Sequence, residues 1–324
     1  MANSYFPAGA FGKLPQFGDF FKHNAGSREM LAFDQWLQQG IFHAKMQLKQ
    51  EWDVAFDGAP GQHFLFYADN PERFLLGVFQ PSHDKTVRKY PFWVSLQIER
   101  AGLGEALVPL TPVIFSSFFM QARALIQDAR NGLSMPEIIA HVEALKVPVT
   151  GNLQNEIRGH RSYLDATTLG SFCTSVFGSF EDQRKYLLFK NLTDILVPLR
   201  RQDFSRMNLG LRFPLGADPH ARSHETCFWL YVCLHLLGNP AMTPILFWSA
   251  PKAGQKAYLY FYFRPPSAKN FLPLVRPEVQ NDAICELEEE GWANLATAEQ
   301  ALAAPIRASL QAPGMSLSEF LQKL

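Results

Sequence analysis

The chain has little charge and no excess of either sign. Charged residues make up 19% of its 324 positions, and 30 basic residues are matched by 30 acidic ones, whereas a soluble globular domain usually carries about 25% charge. No broad electropositive field exists, so binding to nucleic acid or to an anionic membrane through overall charge is excluded, although a local patch is not. Cysteine is scarce. Cys173, Cys227, Cys233 and Cys285 form no C-x-x-C pair, and a chain of this size needs no staples, so they read as reduced, mostly buried thiols of a cytoplasmic protein. Long apolar runs are also missing. Of the two uncharged stretches, Ala106–Gln121 contains Pro109 and Pro112, and Thr226–Pro251 is cut by Gly238, Asn239 and Pro240. Each unbroken piece falls short of the ~20 residues that a membrane helix needs, so no membrane insertion is expected. Residues 1–11 lack the basic and apolar regions of a secretory signal.

The usual signatures of catalysis and cofactor binding are absent too. There is no phosphate-binding G-x-x-x-x-G-K-[ST] loop, no complete dinucleotide fingerprint and no G-x-S-x-G elbow. Ser82 and Lys85 match S-x-x-K without its companion motifs. No cofactor is expected. One cluster invites a metal reading: if a helix begins at Asp218, then His220, His224 and Cys227 share roughly one face, and imidazoles at i and i+4 with a thiolate can grip zinc. The competing reading is a polar first turn leading into a buried helix, since the second His of H-E-x-x-H is missing.

What the chain does have is aromatic mass. Apolar residues make up 47%, and 28 are Phe, enough for a large, heavily aromatic core. A helix capped by Ser27 is expected to run to about Leu48, with Met30, Phe33, Leu37, Ile41, Ala44 and Leu48 as its core stripe. Trp36 lies off that stripe and must cover another element, a loop or a partner. Residues 63–68, 74–80 and 92–98 read as strands. A helix is expected from Thr111 to about Arg130, and the Ser134–Glu137 pair forms a capping box. In the second half, Ser179 is expected to cap a helix, another spans about 223–237, and residues 244–250, 257–263 and 283–287 read as strands. Thr297–Gln300 and Ser316–Glu319 are two more capping boxes. Adjacent strands are too closely spaced for parallel crossovers. The expected fold class is α/β, a three-layer αβα sandwich with a mixed, partly antiparallel sheet. It divides at 147–152 into an N-terminal region, 1–148, and a C-terminal α/β region, 149–324, packed separately or as one unit.

Residues 9–21, GAFGKLPQFGDFF, hold Gly12, Pro15 and Gly18 within seven positions. That density implies a strand leading into a fixed, turning loop. Lys13 and Asp19 are its only charges; the simplest reading leaves Lys13 solvated and lets Asp19 accept backbone N–H bonds.

This segment resembles the G-K-L-P-x-x-G-D-F signature of the TagF (ImpM) family, at Gly12, Lys13, Leu14, Pro15, Gly18, Asp19 and Phe20. Phe33–Leu37, with Trp36, is similar to the family's next helix. Residues 80–92 resemble a third family element at Pro81, Ser82, Asp84, Val87, Arg88 and Pro91, with Lys85 as a departure. The resemblance covers about residues 9–100 and fades in the second half. It implies a three-layer αβα fold and a non-enzymatic cytoplasmic accessory protein of bacterial type VI secretion. It further implies a post-translational repressor acting through the FHA-domain scaffold protein. Many relatives are shorter, so residues 149–212 read as an elaboration to which no function carries over. The alternatives are a structural component at the cytoplasmic base of the apparatus, or a metal-dependent hydrolase using the His220 region.

Within the matched motifs, Lys13, Asp19, Asp84 and Arg88 are two bases and two acids in strand-flanking loops. The expectation is that an Arg88–Asp19 pair locks the two loops into one surface. Lys13, Pro15, Gly18, Asp19, Asp84, Arg88 and Pro91 would form that surface, with Trp36 and Tyr90 either as aromatic anchors toward the partner or as core residues.

Overall fold

A computed structural model describes residues 5–148, 153–200, 207–252, 254–291 and 293–324. Its strands in chain order are β1 (Tyr5–Phe6), β2 (Ala8–Gly12), β3 (Phe21–His23), β4 (Gln62–Phe66), β5 (Arg73–Gln80), β6 (Phe92–Glu99), β7 (Val147–Pro148), β8 (Gly210–Leu215), β9 (Ile245–Ser249), β10 (Ala257–Tyr262) and β11 (Ile284–Glu286). β1 and β7 pair by themselves, and the other nine form one open sheet in the order β11-β8-β10-β9-β4-β5-β6-β2-β3. Every pairing in it is antiparallel except β11 with β8, so the sheet is mixed as expected. The β4–β9 ladder joins strands from the two halves of the chain, with Phe64 opposite Phe247.

The faces of the sheet follow from alternation along each strand. On one face, Phe64, Phe66, Phe79, Trp93 and Phe247 surround Phe33, which comes from the Arg28–Leu48 helix; the Phe33 and Phe64 rings stack at 4.3 Å. Complete burial of a side chain like Phe33 contributes about 1.5–3 kcal/mol. On the other face, His63 and Trp248 pack on Phe119 of the Ser116–Arg130 helix, while Phe213 meets Trp229 of the Arg222–Leu237 helix. Helices therefore cover both faces, giving the three layers.

The first long helix forms where the pattern places it. Ser27 is extended, and its hydroxyl accepts from the Met30 N–H at 3.3 Å. Trp36 is buried, stacks on Phe247 at 4.9 Å and donates its indole N–H to the Ser267 carbonyl. Its off-stripe position is explained by the Ala268–Val275 segment, which wraps the flank of this helix. At Gly40 a Cβ would lie 2.5 Å from Phe271 Cβ, so only glycine permits that approach.

Several expected boundaries move. The helix after Ser179 begins at Arg184, and the Thr111–Arg130 span breaks at Phe115 into two helices. The cap near Thr297 is Asn294, whose side chain accepts from the Ala296 N–H at 2.9 Å. The helices Gln154–Ala166 and Leu169–Phe177 and strand β8 were not anticipated. All four cysteines are free and buried. Among the described residues, no helix is long and apolar enough to cross a membrane.

Candidate functional site

The two motif loops leave the same end of the sheet, one after β2 and the other between β5 and β6, and they meet there. Gly12 makes the meeting possible. Its φ is +133°, and a Cβ would fall 2.2 Å from the Pro91 carbonyl oxygen, a space no side chain can occupy. The chain then turns tightly, with the Phe17 N–H bonded to the Leu14 carbonyl. The Lys85 N–H donates to the Phe17 carbonyl at 2.8 Å, tying loop to loop through the backbone. Gln16 anchors the first loop from behind, donating to the carbonyls of Ala129 (2.8 Å) and Leu133 (2.7 Å).

Asp84 is the centre. Its side chain is fully inaccessible, and it accepts five hydrogen bonds. Oδ1 receives the Thr86 N–H (2.9 Å), the Thr86 hydroxyl (2.8 Å) and the Arg88 N–H (3.0 Å). Oδ2 receives Lys13 Nζ (2.8 Å) and Arg88 Nε (2.6 Å). Burial alone would raise the carboxyl's pKa, but the Lys13 ammonium, the Arg88 backbone N–H, Thr86 and the Arg88 side chain outweigh it. They hold the group well below the usual carboxylate range.

Two expectations are thereby corrected. Lys13 is not solvated; it is buried, on Asp84, with its Nζ 5.0 Å from the Phe20 ring centroid. Arg88 does not pair with Asp19. Its Nε goes to Asp84, and its Nη2 donates to the Gly18 carbonyl at 2.7 Å. Asp19 is exposed and accepts from the Phe20 N–H. The loops are cross-linked by Arg88, as expected, but through a different acid and a carbonyl.

The remaining motif residues divide between core and surface. Tyr90 and Pro91 are buried, and Pro15 is half-buried. Tyr90 donates to Asp34 Oδ1 at 2.5 Å; burial, reinforced by that carboxylate, pushes its hydroxyl well above its ordinary pKa. Neither Trp36 nor Tyr90 presents its ring to solvent, so neither anchors a surface contact. Gly18, Asp19, Lys85, Thr86, Val87 and Arg88 are exposed and form the rim. Val87 is 60% exposed and sits at φ +64°, an outlier for a β-branched residue. The reasoning from sequence missed Thr86, Gln16 and Asp34; an Asp followed two positions later by Thr is a turn signal that pointed to the first.

The candidate metal residues do not converge. The helix begins at Arg222, so His220 precedes it and is exposed, while Cys227 is fully buried and burial pushes its thiol pKa up. His224 instead meets His160, with Nδ1 atoms 3.0 Å apart and rings nearly parallel. Burial, then the His224 charge, lowers His160 to about 4. Among the described residues, no group of three His, Cys, Asp or Glu side chains could hold a metal ion.

Comparison with known proteins agrees with the motif loops. The family model for the TagF N-terminal domain, described as Type VI secretion system-associated, matches residues 9–145. Residues 9–145 are thus similar to a TagF N-terminal domain. The match takes in both loops, the Lys13–Asp84–Arg88 knot and strands β2 to β6. The fold is similar to the crystal structure of PA0076 from Pseudomonas aeruginosa PAO1, with a TM-score of 0.50 and 16% identity, over 85% of this chain and 96% of that one. At that identity the likeness is one of fold, and it extends well past the TagF N-terminal domain. A search of curated proteins found no match.

Proposed function

We propose that this chain is a non-enzymatic, cytoplasmic accessory protein of type VI secretion. It uses the two-loop rim to dock on the FHA-domain scaffold protein and so represses assembly post-translationally. The type VI association of the TagF N-terminal domain supports the setting. One observation carries the docking reading: Lys13 and the Arg88 Nε are spent on the buried Asp84 in a shared knot, while the backbone that knot braces holds Val87 exposed and strained. Strain of that kind persists only where its surroundings over-determine it, and it concentrates at functional surfaces. A rigid rim also loses little entropy on binding, which favours affinity from a small contact. Lys85, Val87 and Asp19 supply a cation, an apolar centre and an anion to that rim.

The test is capture of the FHA scaffold from cells with active type VI secretion. Wild-type protein should recover it, whereas Lys85→Glu and Val87→Asp should lose it with no loss of thermal stability and release secretion from repression. Failure to recover the scaffold, or recovery unaffected by both variants, refutes the reading. Co-purification with assembled apparatus instead would favour a structural component.

A further inference from the structure

We propose that the cavity between the start of the Asp84 loop and the Ala250–Lys252 turn binds an oxyanion of the phosphate class, either free phosphate or a phosphomonoester. The cavity has a volume of about 270 Å³. Arg123, Gln127 and Arg130 line it from the Ser116–Arg130 helix, at i, i+4 and i+7 and hence on one face. Lys252 faces them, and Ser82 and His83 close a further wall. The proposal does not depend on the docking reading.

Its donors are only partly spent; the Gln127 amide gives one N–H to Asn131 Oδ1 at 3.2 Å and keeps the other. Ser82 is 2% exposed, and its hydroxyl has no hydrogen-bond partner. Arg123 Nε is likewise buried without a partner, and the bond its Nη2 makes to the Pro251 carbonyl is long, at 3.4 Å. Among the described residues, no carboxylate lies within ion-pair distance of Arg123 or Arg130, although the Asp57 charge acts on Arg130 from further off. The one carboxylate on the cavity wall, Asp57, is gripped by Lys89 at 2.7 and 2.5 Å. Lys252 spends donors on the Gly58 and Ala59 carbonyls but has three to give. Half-buried guanidinium groups without a close counter-ion carry a desolvation cost, and burial lowers the pKa of both arginines, offset in part at Arg130 by the Asp57 charge. In a chain whose net charge is zero, three cations against one committed acid form a local excess.

The shape of the donor set selects the ligand. A carboxylate offers two oxygens in one plane and is satisfied by a single guanidinium fork. Here two forks, an ammonium, an amide and a hydroxyl approach from three separate segments, which suits a tetrahedral anion with three or more acceptor oxygens. A phosphomonoester carries about −1.5 to −2 at neutral pH, enough to offset the uncompensated cations.

The experiment is isothermal titration of the full chain at constant ionic strength, first with inorganic phosphate and then with O-phosphoserine. One saturable site is expected, weakened about tenfold or more by Arg123→Gln and by Arg130→Gln, as loss of a charge-assisted contact requires. Gln127→Glu should abolish it by placing a carboxylate in the cavity, and it provides the test should either arginine variant fail to fold. Tighter binding of O-phosphoserine would identify an ester as the source; equal or tighter binding of inorganic phosphate would identify the free anion. Absence of a saturable site with both probes, or binding that survives all three substitutions, overturns the proposal.

Discussion

Asp84→Asn tests the central knot with almost no change of shape. An amide keeps one acceptor oxygen where the carboxylate has two, so in either orientation its NH2 faces donors, on the Lys13 and Arg88 Nε side or on the Thr86 and Arg88 N–H side, and Lys13 is left buried beside a dipole instead of a charge. Removing one partner of a buried pair costs about 3–5 kcal/mol. Asp84 is inaccessible but lies directly beneath the 60% exposed Arg88, so part of its desolvation is relieved and the lower figure applies, about 3 kcal/mol. Unfolding entropy near 2.1 cal/mol/K per residue over 324 residues converts this to a melting point about 4 °C lower. Lys13→Met should cost less, because Arg88 and Thr86 still satisfy the carboxylate. The double variant should cost less than the sum, with a coupling of about 1–3 kcal/mol. The pH dependence has a definite sign. A carboxyl with its folded-state pKa depressed contributes in full above its unfolded value of about 3.9 and loses that contribution as pH falls toward the folded value. Wild type should therefore shed stability below about pH 4, and the Asn variant should lack that part of the loss. Scanning calorimetry of the four proteins from pH 2.5 to 7 measures all of this. A change under about 1 °C for Asp84→Asn at neutral pH, or strict additivity, would refute the knot as the brace of the two loops.

Val87→Asn should raise stability by about 1 kcal/mol, since asparagine tolerates positive φ where valine does not; the same variant should capture less scaffold, separating stability from docking. Gly40→Ala should destabilise by about 1–3 kcal/mol, although alanine is the better helix former, because its Cβ would sit 2.5 Å from Phe271 Cβ. Urea titration with an aromatic fluorescence readout decides the sign. Glu225 is pushed up to about 7 by burial, against opposing pulls from the Gly216 N–H and Arg222. A raised carboxyl contributes in full below its unfolded value near 4.3 and loses that contribution as pH rises through 7. Glu225→Gln should therefore remove roughly 3 kcal/mol of stability loss between pH 4.5 and 7.5, and parallel curves for the two proteins would count against it.

Legibility from sequence followed the range of the forces involved. The Ser27 cap, the Ser134–Glu137 and Ser316–Glu319 boxes and the three strands between Gln62 and Glu99 are written in residues a few positions apart. Thr297 misled because a four-residue pattern also occurs inside helices. A cap needs extended backbone, which Asn294 has at φ −102° and ψ 134°. Strand β8 was hidden by Pro214, which argues against a strand interior; it is held between β10 and the parallel β11 by contacts that no local pattern announces.

The same logic explains why the wrong acid was assigned to Arg88. Two bases and two acids in two loops leave the pairing open when only the charges are counted. The local option wins: Asp84 and Arg88 lie four residues apart in a loop closed by the Val87 N–H on the Asp84 carbonyl, so little closure entropy separates them. Asp84 is also the acid whose backbone surroundings supply two further N–H donors, from Thr86 and Arg88, while Asp19 finds one, from Phe20, in the open. An inaccessible carboxylate needs that many donors and an exposed one does not. Asp19→Asn should therefore shift stability by less than about 0.5 kcal/mol, as surface substitutions do, against the several kcal/mol at Asp84. Equal losses at both positions by thermal melting would mean that Arg88 is shared between the two acids in solution and that the knot is wider than five hydrogen bonds.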